Sequence, residues 1–193
     1  ESKSVICLMT ILFIPLMAEI NGLLTLWLGK VPPYTSVFCV ALLISFLADQ
    51  ITSGLNTANQ AIGNIRNYSL LMYTPKLLLI PMALLLLYLD YGPTGVMFLF
   101  VAIELLVALI RLPYMHHVSG LDMKHYIRTV LGRNSLLIIF MAAVSLSLKH
   151  TSTSAYRFFY SIPIAYIAGI VFAWAVVLTS KERKKIKTSI TSK

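Results

Sequence analysis

The feature that most constrains this chain is a series of apolar blocks, each near the length needed to cross a bilayer. A helix needs about 20 apolar residues to span a hydrocarbon core about 30 Å thick. Six such blocks run at about 5–27, 34–60, 68–89, 94–113, 134–149 and 158–179. Lipid offers no water to an open backbone, so only helices and closed barrels cross it. A barrel would alternate in polarity over ten-residue segments, whereas these blocks are continuous. Of 193 residues 58% are hydrophobic and 12% charged, which leaves too little polar surface for a soluble domain. The expected fold is therefore all-α: a polytopic membrane domain over 1–180 with six transmembrane helices, then a basic tail over 181–193. Pro15, Pro75 and Pro81 fall inside spans, where neighbouring groups can re-satisfy the freed carbonyls. Asp90-Tyr91-Gly92-Pro93 reads as a turn.

Charge orients the blocks. Lys3, Arg66, Lys124, Arg128, Arg133 and the tail fall on one side, and Lys30, Lys149 and Arg157 on the other. Lysine and arginine favour the cytoplasmic side, so both ends of the chain are expected there. The net charge of +9 then belongs to membrane edges, and nucleic acid is not an expected partner. Cys7 and Cys39 would lie on opposite sides, roughly 20–25 Å apart, too far for a disulfide, which needs Cα atoms within about 7 Å. The first residue is Glu1, with no charged leader or cleavage site, so the chain is expected to begin partway through a longer protein. Between the fourth and fifth blocks, Met123, Tyr126, Ile127, Val130 and Leu131 share one helical face, with Lys124 and Arg128 off it. Ser119 to Asn134 reads as a short amphipathic helix lying in the interface, its cations toward anionic headgroups of membrane lipid. Ser119-Gly120-Leu121-Asp122 has the spacing of a capping box at its start.

One stretch breaks the apolar pattern. Leu47 to Asn64 reads LADQITSGLNTANQAIGN. At about 100° per residue, Asp49, Ser53, Asn56, Gln60, Gly63 and Asn67 fall within roughly 40° of one line. Ile51, Leu55, Ala58, Ile62 and Ile65 fall opposite. This is a segregated polar face on a helix expected to start near Tyr34 and continue past Ile65. Asp49, Ser53 and Asn56 must face other helices or water, because an Asp at a span centre costs about 2.5–3.5 kcal/mol on insertion scales.

Three more charges lie inside spans: Lys76, Glu104 and Arg111, the last two seven apart and so on one face. Opposite charges at similar depth on sequential helices invite pairing, and Lys76 is expected close to Asp49 or Glu104. Two readings follow. The charges staple the second, third and fourth helices together, or they line a polar path for a charged or sugar-bearing substrate. In the second reading Asp49, Ser53, Asn56 and Gln60 would line the inner half of the path. Amides match sugar hydroxyls as both donors and acceptors, and Lys76 or Arg111 would supply a cation for a negatively charged group of the substrate. Glu19 ends the first span and is expected at the interface. An enzyme reading rests on His117 and Asp122, an H-x4-D spacing used by some membrane acyltransferases with His as general base, although Asp122 has a simpler role as a helix cap. No metal spacing, P-loop or GxSxG occurs, so neither cofactor nor metal nor catalytic residue is expected.

Phe13-Ile14-Pro15 leading into Leu23-Leu24-Thr25-Leu26-Trp27-Leu28-Gly29-Lys30-Val31-Pro32 resembles the polysaccharide-repeat-unit flippases. These are the O-antigen and capsule polysaccharide biosynthesis proteins of the multidrug/oligosaccharidyl-lipid/polysaccharide exporter superfamily. Leu55-Asn56-Thr57-Ala58-Asn59-Gln60-Ala61-Ile62-Gly63-Asn64 is similar to the family's cytoplasmic turn, and Tyr91-Gly92-Pro93-Thr94-Gly95-Val96 to its short external turn. Glu104 through Arg111 and the amphipathic Leu121 to Val130 follow its order. The resemblance covers about 15–133 by motif and the last two blocks by hydropathy. It implies alternating access for a polyprenyl-pyrophosphate-linked oligosaccharide and no covalent chemistry. It also implies that this chain is the last six of fourteen helices, so that the preceding lobe of the same protein is a partner. Another exporter of the superfamily fits the same features.

Overall fold

The computed structural model describes residues 2–63, 65–120, 122–151 and 157–178. All regular structure among them is helical. Five helices are long and apolar enough to cross a membrane, and a sixth span is added if one bent pair counts as a single crossing.

That pair is the first block. It is not one helix but two, α1 (Ser2–Ala18) and α2 (Ile20–Leu28), bent by 70°. Pro15 lies one turn before the break, and a proline ring removes one helical N–H and presses on the carbonyl four residues back. Glu19 at the joint leaves helical geometry, with φ −106 and ψ 14.

The second block forms α3 (Thr35–Ile62). It ends at Gly63, whose φ of +85 is a left-handed conformation that only glycine adopts without a Cβ clash. The Gly63 N–H donates to the carbonyls of Asn59 and Gln60. The helix therefore does not continue past Ile65. Asn67 belongs to the next helix, α4 (Ile65–Tyr88), and leaves the expected stripe. Asp90 and Gly92, both with positive φ, form the expected turn into α5 (Gly92–Ser119), which continues beyond Pro113 for a further turn and a half.

The amphipathic segment and the fifth block are also joined differently from expectation. α6 (Met123–Tyr126) passes through a π-turn at Ile127–Leu131 into α7 (Gly132–Thr151), giving one continuous helix over Met123–His150. The separate interfacial helix and the short fifth span are thus a single long element. Its cap is Asp122, whose Oδ1 accepts from the His125 N–H at 3.0 Å. Ser119 takes no part in that cap; its hydroxyl donates to Met115 O at 2.7 Å in the last turn of α5. α8 (Phe158–Phe172) ends in a second π-turn, Ala173–Val177, closed by the Leu178 N–H donating to Ala173 O at 2.9 Å.

Packing follows two hubs. α1 lies against α3, α7 and α8, while α5 lies against α3 and α4. The α1 hub closes on Cys7, Leu137, Met141, Ala165 and Val177. At Gly169 an added Cβ would sit 2.7 Å from Met141 Sδ and 3.1 Å from Ile11 Cγ1, so only glycine allows this approach of α8 to α1 and α7. The α5 hub closes on Tyr68, Met72, Ile103 and Val107. The buried line of α3 is Ala41, Ser45, Ala48, Thr52, Leu55 and Asn59. These residues, small or polar except for Leu55, recur at three- and four-residue spacing, which marks one helical face. This line is displaced by one residue, or about 100°, from Asp49 and Asn56, so those side chains emerge at the edge of the α3–α5 contact. α4 touches α5 but has few contacts with α3. Its remaining surface, including Leu70, Leu77, Leu78, Ile80 and Leu84, is exposed, as a lipid-facing helix requires.

Candidate functional site

Because α3 and α4 both rest on α5 and barely touch each other, a cleft of about 260 Å³ opens between them. Its walls include Asp49 and Asn56 from α3, Lys76 from α4, and Glu104 and Arg111 from α5. Five of the seven residues singled out from the sequence therefore meet in one place. Ser53 and Gln60 do not line it. The Ser53 hydroxyl donates to Gln50 O at 3.1 Å along its own helix, and Gln60 is exposed in the last turn of α3.

Two ion pairs organise the walls. Lys76 Nζ donates to both carboxylate oxygens of Glu104, at 2.7 and 2.9 Å. Of the two expected partners, Glu104 is the one Lys76 takes. Arg111 takes the other: its Nη2 lies 2.8 Å from Asp49 Oδ1, and its Nη1 donates to Thr52 Oγ1 at 2.8 Å. One pair thus ties α4 to α5 and the other ties α5 to α3. Exposure differs along them. Glu104 and Arg111 side chains are 11% and 8% exposed, while Lys76 and Asp49 are 34% and 40% exposed. Each pair places its buried member on α5 and its wetter member on the cleft wall opposite. The formal charges cancel, two of each sign.

Polar atoms remain over. Arg111 Nε, Tyr68 Oη and Ser45 Oγ are buried without a hydrogen-bond partner among the described residues, and all three side chains belong to the cleft lining. Ordered water commonly satisfies such groups. Sequence reasoning passed over Ser45, Thr52 and Tyr68. Ser45 and Thr52 extend the polarity of α3 on the side facing α5, and their three- and four-residue spacing to Ala48 and Asp49 was the available signal. Tyr68 packs at 5.5 Å between ring centroids against Tyr114.

A third ion pair lies outside the cleft. Glu19 is buried against protein, 5% exposed, and is held by Arg157 in a fork in which Nε donates to Oε1 and Nη2 to Oε2, both at 2.9 Å. Arg157 Nη1 also donates to Lys149 O at 3.0 Å. These bonds raise the guanidinium pKa above its ordinary value, the Glu19 hydrogen bonds outweighing burial. The bend in the first span is thereby tied to the entry of α8. Planar two-point contact of this kind is the geometry Arg makes with carboxylates.

His117 is exposed, and the Asp122 carboxylate is engaged as the α6 cap. Cys7 and Cys39 are unpaired. Among the described residues no group of three or more His, Cys, Asp or Glu is placed to hold a metal ion. The basic tail over 181–193 lies outside the described residues. Compared with family models, curated proteins and solved structures, the chain matches none.

Proposed function

We propose that this chain forms part of a membrane exporter whose α3–α5 cleft handles the polar portion of a lipid-linked oligosaccharide, of the polyprenyl-pyrophosphate class. The observation that carries this reading is that each ion pair leaves one partner open to the cleft. A staple needs neither partner open, whereas Lys76 and Asp49 each keep about a third or more of their surface open there. Asn56 shares the α3 wall with Asp49, with an amide that both donates to and accepts from sugar hydroxyls. Lys76, the more open cation, is the better placed of the two to meet a pyrophosphate. In this reading no covalent step occurs and no cofactor is used. Further helices of the same protein complete the path, membrane lipid surrounds it, and both described ends face the cytoplasm of an inner membrane.

The test is Asn56→Leu in the full-length protein, in cells whose surface polysaccharide depends on it. Export falls while the membrane level of the protein is kept. Gln60→Leu, off the cleft, serves as the control and leaves export unchanged. Normal export with Asn56→Leu at normal protein level assigns the polar face to packing and ends the transport reading.

A further inference from the structure

The bend after α1 falls where a membrane would end. The 17 residues of α1 extend about 25 Å at 1.5 Å each, close to a hydrocarbon core of about 30 Å. Continued in line, the nine residues of α2 would project about 14 Å further. The 70° bend lays them across the axis of α1 instead, and the Arg157 fork on Glu19 holds the joint. One side of α2 faces protein. Leu24 is buried, and a Cβ added to Gly22 would sit 2.8 Å from Phe158 Cδ1. The other side is open: Trp27 is 81% exposed, and Leu26 and Leu28 are exposed with it, as are Asn21 and Thr25.

Other helices bring aromatic residues to the same end. Lys76 stands 12 residues before the end of α4 (88 − 76), and its partner Glu104 12 residues after the start of α5 (104 − 92), so those two termini are level. Asn21 of α2, Val37 of α3 and Phe98 of α5 line one cavity, which places the starts of these three helices together. Trp27, Tyr34, Tyr88 and Tyr91, all exposed, therefore form a belt at one end of the molecule. The exposed residues are sorted by position across it. Along α4 the order is Leu84 and Leu85, then Tyr88, then Asp90; along α2 it is Leu26, Trp27, then Lys30. Aliphatic, then aromatic, then charged is the order a lipid boundary imposes, because Trp and Tyr have an apolar body and a polar tip. A protein partner imposes no such sorting.

We infer that α2 is a surface-lying anchor, seated in the boundary between headgroups and acyl chains of one leaflet, with Trp27 as its main contact. Its partner is the lipid surface itself. A helix in that position sinks its apolar side about 5–10 Å into the boundary, which suits Leu26, Trp27 and Leu28 flanked by Asn21 and Thr25. The inference rests on the membrane setting of the helices and not on the transport reading.

The chain has two tryptophans, Trp27 and Trp174, so Trp174→Phe leaves Trp27 as sole fluorophore. The full chain with that change is placed in phosphatidylcholine vesicles whose acyl chains carry bromine either near the headgroup or near the chain end. Bromine quenches tryptophan on contact and so reports depth. The reference is Leu77→Trp in a chain that also carries Trp27→Phe and Trp174→Phe. Leu77 is exposed and lies midway along α4. The expected result is that bromine near the headgroup quenches Trp27 more, and bromine near the chain end quenches the Leu77→Trp chain more. The difference in depth is about 5–10 Å, given a half-core of about 15 Å. Equal depths overturn the inference, because α2 then dips into the core as a re-entrant segment. Quenching of the Leu77→Trp chain with none of Trp27 also overturns it, because protein or water then covers α2.

Discussion

Replacing Lys76 by Met keeps most of the stem's volume and removes the ammonium, leaving Glu104 as an unpaired carboxylate. Breaking a fully buried pair by removing one partner costs about 3–5 kcal/mol, mostly for the stranded charge. Glu104 is 11% exposed and its partner 34%, so water reaches the pair and the cost drops to about 2 kcal/mol. That is roughly a 30-fold shift in the folding equilibrium. The converse change, Glu104→Gln, strands the wetter Lys76 and costs about 1 kcal/mol by the same reasoning. With both charges gone neither is stranded, so the double variant lies within about 1 kcal/mol of the parent. The singles sum to about 3 kcal/mol, which leaves a coupling of about 2 kcal/mol, within the range for residues in contact. Equilibrium unfolding in mixed micelles, followed by far-ultraviolet circular dichroism, measures all four proteins. Additive costs, with coupling below about 0.5 kcal/mol, refute the claim that this pair stabilises the α4–α5 contact. Equal costs for the two single changes refute the exposure argument separately.

Other outcomes follow from the same structure. Gly169→Ala brings a Cβ against Met141 Sδ and Ile11 Cγ1 and lowers stability by about 1–3 kcal/mol; with Met141→Ala the loss in thermal unfolding is less than the sum of the two single changes. In a background lacking Cys7 and Cys39, Lys30→Cys and Tyr91→Cys react with an impermeant thiol reagent from one side of the membrane, and Arg66→Cys and Arg128→Cys from the other. Reaction of all four from one side contradicts the topology.

The six apolar blocks were legible because lipid makes a long apolar run a physical requirement. The Lys76–Glu104 pairing was legible for a related reason: an isolated charge in a span is costly, and only a few partners lie at its depth. What was not legible depended on contacts far apart in the chain or on one backbone angle. Nothing local tells that Glu19 is matched by Arg157, 138 positions later, so the clasp could not be read from the sequence. The stripe through Asp49, Asn56 and Gln60 looked continuous to Asn67 because its spacing is regular, yet Gly63 in the left-handed region stops the helix four residues earlier. Gly63 was itself a stop signal that periodicity outweighed. The polar residues of 123–133 depress the local hydropathy, which made one long helix resemble an interfacial piece and a short span. The buried line of α3 runs one residue off the polar stripe and was not legible, because Thr52 and Asn59 are polar and yet belong to the core.

The tight link between α3 and α4 bears on how anything could pass. Three peptide steps from Ile62 to Ile65 reach at most about 11 Å, so the two helices are pinned side by side at that end. Near the pin, buried Tyr68 rests on Tyr114 of α5 and lines the cleft. The cleft is therefore a fork: α3 and α4 are its two prongs, joined at the root and both resting on α5. A ligand seated between Asp49 and Lys76 would touch both prongs at once. Carriage across the membrane in a protein built this way needs the fork itself to tilt, turning its mouth from one side toward the other.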